Sequence, residues 1–189
     1  MIKPHGSDEL TPLFVYDQSK HHELQKEAEG LPSIIINSAA AGNAVMLGGG
    51  YYTPLTGFMN VADTMGVAEK MQMTNGLFWP TPVINLNKNV DAIKDAKRIA
   101  LRDPNVDGNP VLAIQDVEAI ETLTDAQIDV ITEKVYGTLD PEHPGVATFR
   151  DSGNIVVSGP IQVLSFSYFQ TEFPDTFRTA VEIRNEIKE

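Results

Sequence analysis

"LGGGYYTPLTGFMN", residues 47–60, combines three consecutive glycines, two tyrosines and a Thr-Pro pair. Such a run suits either a loop that binds phosphate through backbone amides or a tight structural turn. A Walker loop needs Gly-x-x-x-x-Gly-Lys-[Ser/Thr], but counting from Gly48 the second glycine is replaced by Thr53, and Pro54 follows. A dinucleotide fingerprint fails at Thr53 as well, because the third glycine belongs there. The stretch therefore favours a structural turn.

The composition of the chain narrows the classes of function. The 189 residues carry 14 Lys and Arg against 26 Asp and Glu, a formal net charge of −12. This charge repels phosphate backbones and anionic lipids, so we expect neither nucleic acid nor a membrane as a partner. The chain has no cysteine, which excludes disulfides, thiolate zinc sites and a cysteine nucleophile. No apolar leader or run of ~20 apolar residues is present, so we expect a cytoplasmic protein.

Short helices and short strands flank the glycine-rich stretch on both sides. Four segments have apolar residues at helical spacing and begin after a polar residue that can cap a helix. From it we predict helices over 18–29, 38–47, 61–72 and 125–136, with Asp17, Ser38, Asn60 and Thr124 or Asp125 as caps. β-Branched or alternating segments indicate a buried strand at 33–37, an edge strand over 74–87, a hairpin over 97–121 and further strand over 149–166.

These elements predict an α+β fold for residues 1–170. Its short antiparallel strands are expected to form a small barrel or strongly bent sheet, with helices packed around it. Residues 171–189 differ, because Pro174 and Asp175 are expected to open a helix with an apolar stripe. That helix would pack back onto the barrel, pack onto another chain, or belong to a further domain.

The residues that commonly carry chemistry form no recognisable catalytic set. His21 and His22 are adjacent on a predicted helix and point about 100° apart, which favours a solvated pair over a shared metal. His143 lies in a predicted turn, and neither a metalloprotease motif nor a nucleophile elbow is present. The spacing of Arg98, Arg102, Arg150 and Arg178 gives no support for an anion site. We therefore predict no catalytic, cofactor-binding or metal-binding residue in this chain.

Six blocks resemble ATP sulfurylase (sulfate adenylyltransferase) in order and spacing. They are GGGYYTPLTGFMN, GLFWPTPV, ALRDPNVDGNPVLAIQDVE, KVYGTLDPEHPGV, VSGPIQVL and FPDTFRTAVEIRNEIKE. The resemblance implies that residues 1–170 are the family's N-terminal PUA-like β-barrel domain. It also implies that residues 171–189 are a linker and the first helix of an α/β nucleotidyltransferase domain that is absent here.

The resemblance also limits what this chain is expected to do. The family joins sulfate to ATP, giving adenosine 5′-phosphosulfate and pyrophosphate, with Mg²⁺ accompanying the nucleotide. Its nucleotide and sulfate residues lie in a Gln-x-Arg-Asn-x-x-His-x-x-His segment and a Gly-Arg-Asp-His segment, and neither occurs here. We therefore expect an inactive, architectural portion of an enzyme that needs Mg-ATP and forms a homo-oligomer when full length. The alternative is a stand-alone PUA-like binding or scaffold module.

The same resemblance assigns the glycine-rich stretch a structural part. The family has a Ser/Thr-Pro-Leu-x-Gly-Phe-Met turn at this point, in which the glycine allows tight backbone passage and the large side chains anchor apolar surface. The matching residues, which we predict to form a structural turn, are Thr53, Pro54, Leu55, Gly57, Phe58 and Met59.

Overall fold

The computed structural model describes residues 2–188, and over this range the chain forms seven helices and seven strands. The helices are α1 (Gln18–Gly30), α2 (Ser38–Gly48), α3 (Val61–Lys70), α4 (Asp125–Tyr136), α5 (Pro144–Asp151), α6 (Phe169–Glu172) and α7 (Ala180–Lys188). The strands are β1 (Ser33–Ile35), β2 (Gly57–Phe58), β3 (Leu86–Asn87), β4 (Arg98–Arg102), β5 (Val111–Asp116), β6 (Ala119–Thr122) and β7 (Ile155–Val163). The predicted α+β fold class is confirmed.

Strand β7 organises the sheet, because four other strands pair with it. The strand order is β1-β4-β5-β7-β2, and β3 and β6 also pair with β7. Val156 of β7 pairs with Leu86 on one side and with Glu121 on the other, so β3 and β6 lie on opposite edges. Along β7, residues 155–158 pair with β6 and residues 161–163 pair with β5. Gly159, with φ +131°, lies between these two paired segments. This exchange of partners curls the sheet into a half-barrel.

The main core lies inside the curled sheet and beneath α2. Ile99, Leu101 and Leu112 are fully buried there, and Leu55 and Phe58 of the glycine-rich stretch join the same cluster. Burial of this apolar surface is the main stabilising contribution to the fold.

A row of buried polar side chains crosses the sheet near β7. Gln115 is fully buried and its Nε2 donates to the carbonyl oxygen of Val157 at 3.2 Å. Asn87 donates through Nδ2 to the side-chain oxygen of Asn85 at 3.2 Å, and both amides are buried. Because buried amides are costly without partners, this network favours one register of the strands around β7.

Three of the predicted helix starts are confirmed by side-chain caps. Asp17 accepts a hydrogen bond from the N–H of Lys20, and Asn60 accepts from that of Asp63. Thr124 forms a reciprocal capping box with Gln127 at the start of α4. The predicted hairpin is confirmed over 98–116 by the antiparallel pairing of β4 with β5, whereas residues 119–122 form β6 and pair with β7.

Other predictions around the sheet are wrong. Asn37, and not Ser38, caps α2, since its side chain accepts from the N–H of Ala40. Strand β1 pairs with β4 in parallel, although the strands were expected to be antiparallel. Over 74–87, only β3 at the end of the segment is a strand. Pro80 and Pro82 lack the N–H that a ladder requires, which accounts for the shorter strand.

The C-terminal third also departs from the sequence prediction. The side chain of His143 accepts from the N–H of Val146 and caps α5, so this histidine begins a helix instead of lying in a simple turn. The strand predicted over 149–166 therefore begins only at Ile155. The last helix begins at Ala180 and not at Pro174, and the short helix α6 comes before it.

Candidate functional site

The glycine run closes α2 and packs against the neighbouring chain segments. Pro12 lies 3.3 Å from where a Cβ of Gly50 would stand, and Gly50 has φ +80°. A Cβ on Gly48 would lie 2.9 Å from the Val163 side chain of β7, so a larger residue would push these segments apart. The N–H of Phe14 donates to the carbonyl oxygen of Gly48 at 3.2 Å, which joins the N-terminal segment to the same turn.

The backbone amides of the glycine run have partners within the protein. The N–H groups of Gly49, Gly50 and Tyr51 donate to carbonyl oxygens of α2 at 2.9 to 3.1 Å. The turn also lies at the C-terminal end of α2, where the helix dipole is negative. A phosphate loop needs free amides at a helix N-terminus, so this geometry does not suit a phosphate site.

The residues Thr53, Pro54, Leu55, Gly57, Phe58 and Met59 link the turn to β7 and the core. Gly57 and Phe58 form β2 and pair with Pro160 and Gly159. A Cβ on Gly57 would collide with the carbonyl oxygen of Gly159, so the close approach of the two strands requires glycine there. Leu55, Phe58 and Met59 have exposed fractions of 3 to 6%.

The first residue of this set is held by polar contacts. The hydroxyl of Thr53 donates to the carbonyl oxygen of Gly50 at 2.9 Å and accepts from the N–H of Thr11 at 3.0 Å. Thr53 is buried, as its two partnered hydrogen bonds permit. At the other end of the set, the N–H of Met59 donates to the carbonyl oxygen of Val83 at 2.9 Å.

The C-terminal segment is anchored on the same glycine run. The N–H of Ala180, the first residue of α7, donates to the carbonyl oxygen of Gly49 at 2.9 Å. The hydroxyl of Tyr51 donates to the carbonyl oxygen of Arg178 at 2.6 Å. Thr179, which lies between Arg178 and Ala180 in the sequence, is buried. The run that resembles a phosphate loop thus fixes the start of the last helix.

A capping box holds the first turn of α7. The N–H of Thr179 donates to the Glu182 carboxylate at 2.7 Å, and the N–H of Glu182 donates back to the Thr179 hydroxyl at 3.3 Å. The N–H of Thr179, and next its hydroxyl, lower the pKa of Glu182 below its ordinary value of 4.5. The Thr-x-x-Glu spacing could have identified this start from the sequence, whereas the contacts with Gly49 and Tyr51 carry no sequence signal.

The arginines considered as anion ligands are engaged within the protein. Arg98 donates to the carboxylates of Glu27 and Asp116 and to the side-chain oxygen of Gln162. The other three have these partners: Ser33 and the Asn109 carbonyl for Arg102, Asp129 for Arg150, and Glu186 for Arg178. Their charges are therefore directed to internal groups and not toward a shared anion site.

The adjacent histidines His21 and His22 differ in their contacts. The ring of His21 is hydrogen bonded to the carbonyl oxygen of Leu164 at 2.8 Å, so it packs on the body of the protein, while His22 is exposed. The prediction of a solvated pair is therefore wrong for His21. Within residues 2–188 no group of three or more His, Asp or Glu side chains is arranged to hold a metal ion. None of the helices over the same range is both long and apolar enough to cross a membrane.

The class of protein follows from the curled sheet, with α2 covering the main core and α1 packing on β4 and β5. A family model described as a PUA-like domain matches residues 2–166, and the chain belongs to this family. A solved structure described as a hexameric APS kinase from Thiobacillus denitrificans shares the fold, with a TM-score of 0.70 and 25% identity. The similarity covers 100% of this chain and 31% of that one.

Curated relatives narrow the similarity from the PUA-like family to one group of enzymes. The sulfate adenylyltransferase of Allochromatium vinosum is 64% identical over 189 residues, which is 100% of this chain and 48% of that protein. The sulfate adenylyltransferase of the Riftia pachyptila sulfur-oxidizing endosymbiont is 63% identical, and the match covers 43% of it. The resemblance seen in the sequence is confirmed, and the chain spans about half the length of the curated relatives it matches.

Proposed function

We propose that this chain is the N-terminal portion of a sulfate adenylyltransferase and that its part in the enzyme is architectural. The observation that carries the proposal is the 64% identity along all 189 residues to an enzyme about twice as long. The longer protein would take Mg-ATP and sulfate as substrates and release adenosine 5′-phosphosulfate and pyrophosphate. The portion described here would provide a folded platform for the part that holds those substrates.

The arrangement of charged groups supports a structural part over a catalytic one. Reaction at the α-phosphate of ATP requires positioned cations and hydrogen-bond donors facing several negative charges. In this chain the four arginines already considered bind internal partners, and the amides of the glycine run bond to α2. These arginines and the glycine run therefore do not fit Mg-ATP, and we assign no catalytic step to them.

We further propose that the boundary between two domains lies near residue 170. In support, the PUA-like match ends at residue 166, and α7 has no buried residue. Residues 1–170 would be the PUA-like domain, and residues 171–189 would be the linker and first helix of the nucleotidyltransferase domain. The longer protein is proposed to be a cytoplasmic homo-oligomer, and the homo-oligomer is in keeping with the hexameric state of the structural neighbour.

The experiment that tests the proposal measures pyrophosphate release with Mg-ATP and sulfate. We expect no release above buffer from the purified 189-residue chain and robust release from the A. vinosum enzyme under the same conditions. Circular dichroism would establish that the isolated chain is folded during the assay. Release by the folded chain alone would show that the catalytic groups lie within it and would overturn the architectural assignment.

A further inference from the structure

An apolar groove of about 820 Å³ runs between α2 and the segment that leads into α7. One wall consists of the aromatic side chains of Phe169, Phe173 and Phe177, and the floor includes the small residues Ala39 and Gly42 of α2. Phe173 has an exposed fraction of 47%, although a phenylalanine ring is among the most favourable side chains to bury. A concave surface with exposed aromatic side chains is typical of a site that another protein segment covers.

The groove is nearly uncharged in a protein of net charge −12. Arg178 is the charged residue of its lining, and its guanidinium donates to Glu186 at 2.9 Å and to the carbonyl oxygen of Phe177 at 2.8 Å. The groove therefore offers apolar contact and little charge. This chemistry fits the apolar face of a protein segment better than a charged metabolite or nucleic acid.

The rim of the groove is also where the last helix begins. Tyr51 and Arg178 both line the groove, and the hydrogen bond between them, together with that from Ala180 to Gly49, holds the start of α7 against the rim. In a protein twice as long, the polypeptide would continue from α7, a nine-residue helix of about 14 Å whose first residue, Ala180, lies at this rim. Covalent attachment over such a short span gives effective concentrations of about millimolar, which favours this occupant over a second copy of the chain.

We propose that the groove is the docking surface for the catalytic half of the same polypeptide, the half that the curated relatives have and this chain lacks. The inference rests on the proposed function and adds the surface through which the platform acts. The anchored start of α7 keeps the catalytic half tethered close to the groove, and the aromatic wall supplies the buried contact. Docking then fixes the orientation of the catalytic half relative to the PUA-like domain.

The test uses a chimera in which this chain replaces its matched segment in the A. vinosum enzyme. Gly42→Arg places a long side chain in the groove, and Gly30→Arg is the matched control, because at both helical glycines a Cβ meets nothing within 4 Å. We expect Gly42→Arg to lower pyrophosphate release by about tenfold or more through misplacement of the catalytic half. We also expect it to split one cooperative unfolding transition into two, while Gly30→Arg changes neither measurement.

A second pair of variants removes apolar contact instead of adding bulk. Phe173→Ser should reproduce the effect of Gly42→Arg, and Phe78→Ser, at a phenylalanine with an exposed fraction of 54% outside the groove, should not. In the 189-residue chain alone, Gly42→Arg and Phe173→Ser should leave the melting temperature within about 2 °C, since both sites are open to solvent there.

Three results would contradict the inference. The first is an active parent chimera in which Gly42→Arg and Gly30→Arg behave alike. The second is a dimer of the 189-residue chain in sedimentation equilibrium that Gly42→Arg dissociates, which would assign the groove to a second copy. The third is a folded chimera that unfolds in two transitions before any substitution. A parent chimera that unfolds in one transition but releases no pyrophosphate would instead count against the proposed enzyme function and leave the docking supported.

Discussion

At the scale of single residues, the glycine run shows how one sequence pattern serves two different structures. Phosphate loops and tight turns both use consecutive glycines, and the sequence separates them only by the absent lysine and third glycine. The structure adds the decisive physical reason, because the amides of Gly49, Gly50 and Tyr51 are bonded to α2 at the negative end of its dipole.

Gly57→Ala is predicted to destabilise the protein by about 1–3 kcal/mol, the range for overpacking at a close contact. The added methyl group would meet the carbonyl oxygen of Gly159, which belongs to the paired backbone of β7 and cannot easily move. Gly42→Ala is the matched control and is expected to stabilise by about 0.5–1 kcal/mol, because it adds a methyl group to an open helical site. Urea unfolding of both variants checks the sign of each change.

Phe58→Ala is predicted to lower the free energy of unfolding by about 3–5 kcal/mol, the usual cost of truncating a buried phenylalanine. Phe58 is 4% exposed and lies in the main core. Phe78→Ala, at a ring that is 54% exposed, should change stability by no more than about 0.5 kcal/mol. An unchanged melting temperature for Phe58→Ala would remove the structural assignment of the turn and make residues 47–60 a functional candidate again.

At the scale of elements, local signals were predictable from the sequence and contacts between distant segments were not. The caps Asp17, Asn60 and Thr124 act within three residues of themselves, so the sequence alone locates the starts of α1, α3 and α4. The parallel pairing of β1 with β4 joins residues more than sixty positions apart, and no local pattern encodes it. Helix α5 was missed because Pro144-Gly145 is typical of a turn, although proline also suits the first turn of a helix.

The candidate site also has features that the sequence predicts and features that only the three-dimensional structure shows. The prediction of a turn over Thr53 to Met59 depended on a seven-residue motif, and the sequence displays all six of its specified residues. The anchoring of α7 by Gly49 and Tyr51 brings together residues about 130 positions apart, and tertiary packing alone reveals it. The sequence shows the cluster of phenylalanines in 169–177 that forms the aromatic wall of the groove, but it does not show that Phe173 is exposed.

The start of α7 is predicted to weaken in acid. The pKa of Glu182 is lowered in the folded protein by the N–H and hydroxyl of Thr179, so its contribution to stability is present above pH 4.5 and is lost as the pH falls through the lower folded value. The amide proton shift of Thr179 in NMR spectra should therefore titrate with a midpoint below 4.5. The Glu182→Gln variant should show no such titration, and a midpoint at or above 4.5 in the unmodified chain would contradict the capping box.

At the scale of the whole molecule, the chain combines a well-packed half-barrel with an outer surface that offers little chemistry. Arg98, Arg102, Arg150 and Arg178 bind groups of the protein itself, whereas the aromatic side chains of Tyr51, Phe169, Phe173 and Phe177 line one groove beside the start of the last helix. These features support the proposal that the domain stabilises and orients a neighbour. The relatives at 59 to 64% identity, each about twice as long, are sulfate adenylyltransferases, and the proposed neighbour is the half of such a protein that this chain does not match.

Pyrophosphate release by the parent chimera, with this chain in place of the matched half of the A. vinosum enzyme, tests the central claim most directly. The two sequences are 64% identical over that half, so the exchanged platform should orient the catalytic half correctly. We predict that the rate of pyrophosphate release with Mg-ATP and sulfate lies within about tenfold of that of the unmodified A. vinosum enzyme. This corresponds to a change of about 1.4 kcal/mol or less in the activation barrier. A chimera that folds in one cooperative transition yet releases no pyrophosphate would contradict the claim that this chain is a working portion of a sulfate adenylyltransferase.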